Sequence, residues 1–173
     1  MPKLVLMRHA KSDWDKPGLA DFDRPLSPRG ERTIPRVMAA LEALDIMPDH
    51  VICSTALRTR QTLALALQGW KDDMRIDMTK AVYEAEAEDL IELVSDAVRG
   101  DAPETLTIIG HNPAMEDLAA ILAGPGSDQE GLDRIHTKYP TAAVAVFDGS
   151  WDDFGPGRMK LETFIVPREL PEA

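Results

Sequence analysis

Basic and imidazole side chains follow directly on the first apolar stretch of the chain. Residues 4–7 are apolar, and Arg8, His9 and Lys11 come immediately after them. An uninterrupted apolar run of this length is typical of a strand covered on both faces of a parallel sheet. Ligands of open α/β sheets bind just beyond the carboxyl ends of such strands. Arg8 and His9 can therefore either cap a buried strand or belong to a site that binds an anion.

Two further predicted strands lead into residues of the same kind. Residues 50–54 precede a helix that carries Arg58 in its first turn, and residues 105–110 are followed by His111. Parallel strands place their carboxyl ends at one edge of a sheet, so these side chains can converge there. Arginine holds an oxyanion through a planar fork of N–H donors, and helix N-termini add backbone donors. The sequence therefore predicts an oxyanion pocket built from four side chains, Arg8, His9, Arg58 and His111.

Strands and helices alternate along the part of the chain that carries these residues. Apolar runs predict strands at residues 4–7, 50–54, 74–78, 105–110, 142–147 and 159–166. Apolar residues at helical spacing predict helices at about 30–45, 56–68, 86–98 and 114–122. Because proline is tolerated only in the first turn of a helix, Pro35 indicates that the regular part of the first helix starts near Thr33. The pattern predicts one α/β domain over residues 1–173, a three-layer α/β/α sandwich with a mostly parallel central sheet and antiparallel strands added at the end.

The amino-acid composition argues against some classes of binding partner. The 173 residues carry a formal net charge of -11, with 19 lysines and arginines against 30 aspartates and glutamates. This balance argues against binding to nucleic acid or to an anionic membrane surface, which requires a basic face. Cys53 is the only cysteine, so an intrachain disulfide and a cysteine-based zinc site are excluded, and we expect Cys53 to be a core residue. No signal peptide or membrane-spanning segment is recognisable, and we expect a cytoplasmic protein.

The reactive group of the pocket can be narrowed by elimination. The sequence contains no glycine-rich loop with Lys and Ser/Thr, no Gly-x-Ser-x-Gly elbow and no His-Glu-x-x-His metal motif. A histidine remains as the candidate nucleophile, and no metal or cofactor is expected. Imidazole can accept a phosphoryl group and release it to water. Such a histidine must be neutral, and neighbouring arginine charges disfavour its protonation.

Four segments, in order along the chain, resemble the histidine phosphatase superfamily, which includes phosphoglycerate mutases and acid phosphatases. They are residues 6–12, 23–30, 54–62 and 109–113. The resemblance is strongest to the small SixA-type phosphohistidine phosphatases. It covers about residues 3–124 and continues weakly through 142–167. It implies a single histidine-phosphatase domain with a phosphoglycerate mutase-like fold.

The resemblance also implies roles for the matched positions. His9 would be the phosphorylated nucleophile, and the phosphoryl oxygens would be held by Arg8, Arg58 and His111. Ser12 and Asn112 are further candidates, which would assist through the loop backbone or their side chains. Arg24 and Arg29 either line the mouth of the pocket or anchor its loop, and Arg60 is predicted to point away from the pocket.

The resemblance also calls for a general acid that protonates the leaving group. Larger superfamily members carry an acidic residue in a segment that corresponds here to residues 80–86, where Glu84 is the nearest candidate. If Glu84 does not reach the pocket, alkyl phosphates should be poor substrates. A phosphoramidate would need less proton assistance to its leaving group.

These observations favour a metal-independent phosphatase with a phosphohistidine intermediate on His9, acting on a phosphorylated protein or a small phosphorylated substrate. A small-molecule phosphatase and a mutase of the same superfamily are alternatives. The mutase is disfavoured because no long insertion between Ser12 and Arg58, or between Glu84 and Thr105, could form a lid. A non-catalytic phosphoprotein-binding module is a third alternative, disfavoured because binding alone does not need His9. The sequence leaves the oligomeric state open, and residues 168–173 are predicted to be frayed.

Overall fold

The computed structural model describes residues 1–70 and 73–172. Within them the strands are β1 (Lys3–Arg8), β2 (His50–Ser54), β3 (Arg75–Thr79), β4 (Thr105–Gly110), β5 (Val144–Asp148) and β6 (Lys160–Ile165). The helices are α1 (Pro28–Ala43), α2 (Leu57–Ala66), α3 (Lys80–Tyr83), α4 (Ala87–Ala97), α5 (Ala114–Leu122) and α6 (Gln129–Thr137). Every predicted strand and helix is present, with ends displaced by a few residues.

The six strands form one sheet in the order β3-β2-β4-β1-β5-β6. The pairs β2–β3, β2–β4 and β1–β4 are parallel, and β5 and β6 are added antiparallel beside β1. The prediction of a mostly parallel sheet with antiparallel strands at the end is thus confirmed.

Apolar layers cover both faces of the sheet. On β1, Leu4 and Leu6 belong to the layer that packs α4, α5 and α6, whereas Val5 and Met7 belong to the layer that packs α1 and α2. This alternation explains why β1 is apolar without interruption, because successive side chains point to opposite faces and both are buried. The predicted three-layer α/β/α sandwich is confirmed.

The first helix begins earlier than Pro35 indicates. Ser27 caps α1 by accepting a hydrogen bond from the Gly30 backbone N–H at 3.1 Å, and Pro28 occupies the first turn. Pro35 lies inside the helix, where it removes the backbone hydrogen bond to the Glu31 carbonyl. Both residues lie on the exposed side of α1, where solvent can replace that bond. The predicted start near Thr33 is therefore wrong.

Two other local predictions need correction. Helix α6 was not predicted from the sequence, because its buried residues are only Gly131 and Ile135. The end of the chain is not frayed through residues 168–171, because Arg36 donates hydrogen bonds to the carbonyls of Pro167, Leu170 and Pro171. Ala173, the last residue of that predicted segment, lies outside the described residues.

Cys53 is fully buried in β2, as expected of a core residue. Burial raises the pKa of its thiol to about 12. None of the helices formed by residues 1–70 and 73–172 combines the length and the apolar character needed to cross a bilayer.

Candidate active site

Strand pairing brings two of the predicted site residues to one edge of the sheet. Arg8, the last residue of β1, lies opposite Gly110, the last residue of β4. The backbone N–H of His9 extends this pairing by donating to the Gly110 carbonyl at 3.1 Å. His9 and His111 therefore leave neighbouring parallel strands at the same level, and their ring centroids are 5.4 Å apart.

The ring of His9 is held in one tautomer. Its Nδ1 lies 2.7 Å from the Ala10 carbonyl oxygen, and a carbonyl can only accept, so Nδ1 carries the proton. The other ring nitrogen, Nε2, accepts a hydrogen bond of 3.3 Å from Nε of Arg58. The Nε2 lone pair of His9 is therefore directed towards the arginine.

His9 is neutral at physiological pH. Burial lowers its pKa to about 3; the hydrogen bond to Ala10 opposes this shift, and the positive charge of Arg58 adds to it. Only 6% of the residue is exposed. A neutral, desolvated imidazole with an unprotonated Nε2 is the form that can act as a nucleophile.

Arg58 connects the components of the site. It lies in the first turn of α2, where Thr62 Oγ1 donates to its carbonyl at 2.7 Å. Besides His9, its guanidinium contacts Nδ1 of His111 at 3.3 Å and the side chain of Asp21 at 3.1 Å. The group is buried, with 5% exposed. The structure thus brings together His9, Arg58 and His111, as the sequence predicts.

His111 is the second neutral imidazole. Because arginine only donates, Nδ1 of His111 accepts from Arg58, and Nε2 must carry the proton that it donates to Ser54 Oγ at 2.7 Å. Burial lowers its pKa to about 4; the charge of Arg58 acts in the same direction, and that of Asp21 opposes it. Ser54, at the end of β2, thus orients the ring, a role that the sequence did not reveal.

Arg8, at the end of β1, is half-buried. One guanidinium nitrogen, Nη1, donates to the Tyr139 carbonyl at 2.8 Å, and Asn112 Nδ2 donates to the same oxygen at 3.2 Å. The Arg8 Nε atom is buried and has no hydrogen-bond partner among the described residues. Arg8 and Asn112 both line the same cleft as His9, Arg58 and His111.

Asp21 is a carboxylate that directly contacts the pocket. It pairs with Arg58 at 3.1 Å and with Arg24 at 3.0 Å, and it accepts a hydrogen bond of 2.7 Å from the Tyr83 hydroxyl. Burial opposes the shift, but the hydrogen bonds from Tyr83 and Arg24 and the charge of Arg58 lower the pKa of Asp21 to about 2. Asp21 is therefore ionised at neutral pH and serves as a counter-ion for Arg58.

Glu84 does not reach the pocket. It caps the C-terminal end of α3, is exposed, and forms an ion pair with Lys80 at 3.8 Å. The same short helix directs Tyr83, the preceding residue, to the site, where its ring packs edge-on against His111 with centroids 5.4 Å apart. The interpretation of Glu84 as the acid at the pocket is contradicted by its position.

The remaining candidates lie around the mouth. Arg24 is buried, donates to Ser12 Oγ and to Asp21, and its guanidinium stacks on the Trp14 ring at 3.4 Å. Arg24 therefore anchors the loop and also lines the cleft. Ser12 is held by Arg24. Arg29 lines the cleft, whereas Arg60, as predicted, points away and donates to the Thr55 carbonyl.

The pocket opens into a cleft of about 960 Å³. Its walls include Trp14, which is 72% exposed, the polar face of α6 and the turn Pro167–Glu169. A cleft of this volume lies in the range of sites that hold a whole ligand. An oxyanion in the pocket would fill only a small part of it, so most of the cleft wall would contact the remainder of the ligand. Histidine, cysteine, aspartate and glutamate side chains of residues 1–70 and 73–172 form no group of three or more that could hold a metal ion.

Comparisons with known proteins agree with this geometry. A protein of unassigned function from Mycobacterium tuberculosis is 40% identical over 165 residues, which cover 94% of this chain and all of that protein. A solved structure from Agrobacterium tumefaciens, provisionally named phosphohistidine phosphatase SixA, is 26% identical with a TM-score of 0.77, covering 96% of this chain and 99% of that one. A structure from Nakamurella multipartitia with the same provisional name is 29% identical with a TM-score of 0.78, covering 96% of both chains.

The sequence profile of the histidine phosphatase superfamily (branch 1) matches residues 4–149, which is most of the chain. The match includes β1, β2 and β4 with the histidines and arginine that follow them. Together with the phosphoglycerate mutase-like fold, it supports a phosphatase. The chain belongs to the histidine phosphatase superfamily.

Proposed function

We propose that this protein hydrolyses a phosphorylated substrate through a covalent phosphohistidine intermediate on His9. The observation that carries the proposal is the state of His9. Its Nε2 is unprotonated, its Nδ1 proton is held by the Ala10 carbonyl, and Arg58 lies within hydrogen-bond distance of Nε2. A binding site alone would not need a neutral, oriented imidazole between arginines.

In the first step the Nε2 lone pair of His9 attacks phosphorus, and the bond from phosphorus to the leaving group breaks in line with the attack. The leaving group departs with the bonding electron pair and takes up a proton. Arg8, Arg58 and His111 surround the position where the negative charge spreads over the equatorial oxygens. In the second step water attacks phosphorus, the P–N bond breaks, and inorganic phosphate and neutral His9 are regenerated.

The leaving group is the main determinant of which substrate fits this chemistry. The carboxylate at the pocket, Asp21, is ionised at neutral pH, and hydrogen bonding to Asp21 raises the pKa of Tyr83, so neither readily donates a proton. An alkoxide leaving group requires such a proton, whereas the ring of a phosphohistidine can take up a proton from solvent at its other nitrogen and then depart as neutral imidazole. We therefore propose protein phosphohistidine as the substrate class. The SixA-named structures of the same fold support this proposal.

The proposal is tested with 4-nitrophenyl phosphate in the presence of a chelator. We expect turnover and an acid-labile phosphoenzyme in the wild type, and neither in His9→Ala. His136→Ala is a matched control, because His136 is exposed and does not line the cleft. Phosphate binding without turnover in the wild type would instead indicate a non-catalytic module. Loss of turnover on addition of the chelator would indicate a metal enzyme.

A further inference from the structure

The charge of the cleft is opposite to that of the protein as a whole. Among the residues that the structure describes, eight lysine and arginine side chains line it, against four carboxylates. The whole chain carries 19 basic and 30 acidic residues. The cleft therefore concentrates positive charge in a protein whose net charge is -11, and such a cleft raises the local concentration of anionic ligands.

Of the six basic residues that lie outside the phosphate pocket, Arg24 and Arg134 pair with carboxylates, which leaves four others. They are exposed at the rim of the cleft, and none forms a salt bridge or a side-chain hydrogen bond with a described residue; they are Lys11, Arg29, Lys138 and Arg168. We call them the basic rim. The pocket arginines, by contrast, are held by protein groups, Arg58 by Asp21 and Arg8 by the Tyr139 carbonyl.

Part of the basic rim is held in place by close backbone packing. Gly30 lies against the backbone of Lys11, and a Cβ at Gly30 would overlap the Lys11 carbonyl oxygen. The same oxygen accepts hydrogen bonds from the backbone N–H of Ser27 at 2.9 Å and from its hydroxyl at 3.1 Å. These contacts fix the start of α1 beside the loop after β1, so Arg29 and Lys11 are carried on neighbouring backbone.

We propose that the basic rim binds an acidic segment of a partner protein around its phosphorylated side chain. The inference rests on the proposed function, because it assigns a partner to the same site. A small anion inside the cleft would contact the buried donors of the phosphate pocket. The exposed charges of the basic rim lie at the mouth of the cleft, where they would instead contact the surface of a protein that covers the mouth. Rim charges of this kind mainly set the association rate and its salt dependence.

The test uses three synthetic peptides that each carry one phosphohistidine, flanked by acidic, neutral or basic residues. For the wild type at low ionic strength we expect kcat/KM to be about tenfold higher for the acidic peptide than for the neutral one. The difference should vanish as ionic strength rises from about 0.01 M to about 1 M, since the screening length falls from about 30 Å to about 3 Å. The basic peptide should be the poorest substrate.

Charge reversal at the rim provides the matched comparison. Arg29→Glu should lower kcat/KM for the acidic peptide about tenfold, several times more than for 4-nitrophenyl phosphate. An acidic residue is favourable in the first turn of a helix, so this variant should fold. Lys160→Glu makes the same charge change on β6, where residue 160 pairs with Asp148 at the opposite edge of the sheet from the pocket. It should leave both rates unchanged. Arg168→Glu tests the rim from a separate segment.

The outcomes separate the inference from the proposed function. If 4-nitrophenyl phosphate is hydrolysed but the three peptides react alike, or if Arg29→Glu and Lys160→Glu have equal effects, the inference is overturned and the proposed function stands. 4-Carboxyphenyl phosphate is a small substrate that carries an additional carboxylate. If Arg29→Glu lowers kcat/KM for this compound as much as for the acidic peptide, the rim binds a small anion and the inference is again overturned. If no substrate is hydrolysed, the proposed function fails, and the inference fails with it.

Discussion

The two neutral imidazoles of the active site should make the fold sensitive to mild acid. Burial lowers the pKa of His9 to about 3 and that of His111 to about 4, whereas a histidine of the unfolded chain has a pKa of about 6.5. Below pH 6.5 the unfolded chain therefore binds two protons that the folded protein does not accept until the pH approaches 4. Because unfolding takes up protons, the free energy of unfolding must fall as the pH falls.

The size of the effect follows from the number of protons. Each proton taken up on unfolding changes the free energy of unfolding by about 1.4 kcal/mol per pH unit. Between about pH 6 and about pH 5 an unfolded histidine is mostly protonated, so each histidine contributes a loss of about 1 kcal/mol and the pair about 2 kcal/mol. Asp21 does not contribute in this window. Its pKa is lowered from 3.8 to about 2, so the stability it adds is present above pH 3.8 and is lost only as the pH falls towards 2.

The measurement is urea unfolding at these two pH values. Asparagine is polar and does not titrate, so His9→Asn should lose about 1 kcal/mol where the wild type loses about 2 kcal/mol, and His9→Asn with His111→Asn should lose almost nothing. His136→Asn, which changes an exposed histidine, should behave like the wild type. The reasoning is refuted if the double variant loses as much stability as the wild type, because the protons would then be taken up elsewhere.

Other predictions concern catalysis and packing. Asp21→Asn should lower kcat/KM about tenfold for 4-nitrophenyl phosphate and for an alkyl phosphate alike, because Arg58 loses its counter-ion. A much larger loss of kcat/KM for the alkyl phosphate would assign the role of general acid to Asp21. Glu84→Gln, by the same pair of assays, should change neither rate. Thr107→Val should raise the free energy of unfolding by about 1 kcal/mol in urea titrations, because its buried hydroxyl has no partner among the described residues; a loss of stability would contradict this. Tyr139→Phe should cost about 1–3 kcal/mol in the same titrations, because the buried N–H of Ala145 loses its acceptor, and an unchanged stability would show that the bond is replaced.

The parts of the site that follow strands were predictable from the sequence. An apolar run predicts a buried strand, and a histidine directly after the run lies at the carboxyl end of that strand. His9 and His111 could therefore be placed at the same edge of the sheet. Arg58 could be added because it lies in the first turn of a helix that follows a strand. These three positions depend on periodicity and topology, which the sequence carries.

The parts that lie on loops were not predictable in the same way. Asp21 and Trp14 belong to a loop whose path is set by contacts with Arg24 and Arg58, and no periodic pattern encodes those contacts. Glu84 was misplaced because the four-residue helix α3 sets which side chains face the pocket, and it directs Tyr83 inwards instead. The start of α1 was available from the sequence, since a serine cap followed by proline is a known helix start.

The burial of Cys53 has a practical consequence for studying the docking of a partner. A thiol that is fully buried, with a pKa raised to about 12, is a poor target for maleimides and other alkylating reagents. Because Cys53 is the only cysteine, a second cysteine introduced at an exposed position would react alone. Two labels attached in this way to a variant that carries both Lys160→Cys and Arg168→Cys would report the distance between these positions in the native fold, without removing a natural residue from its core.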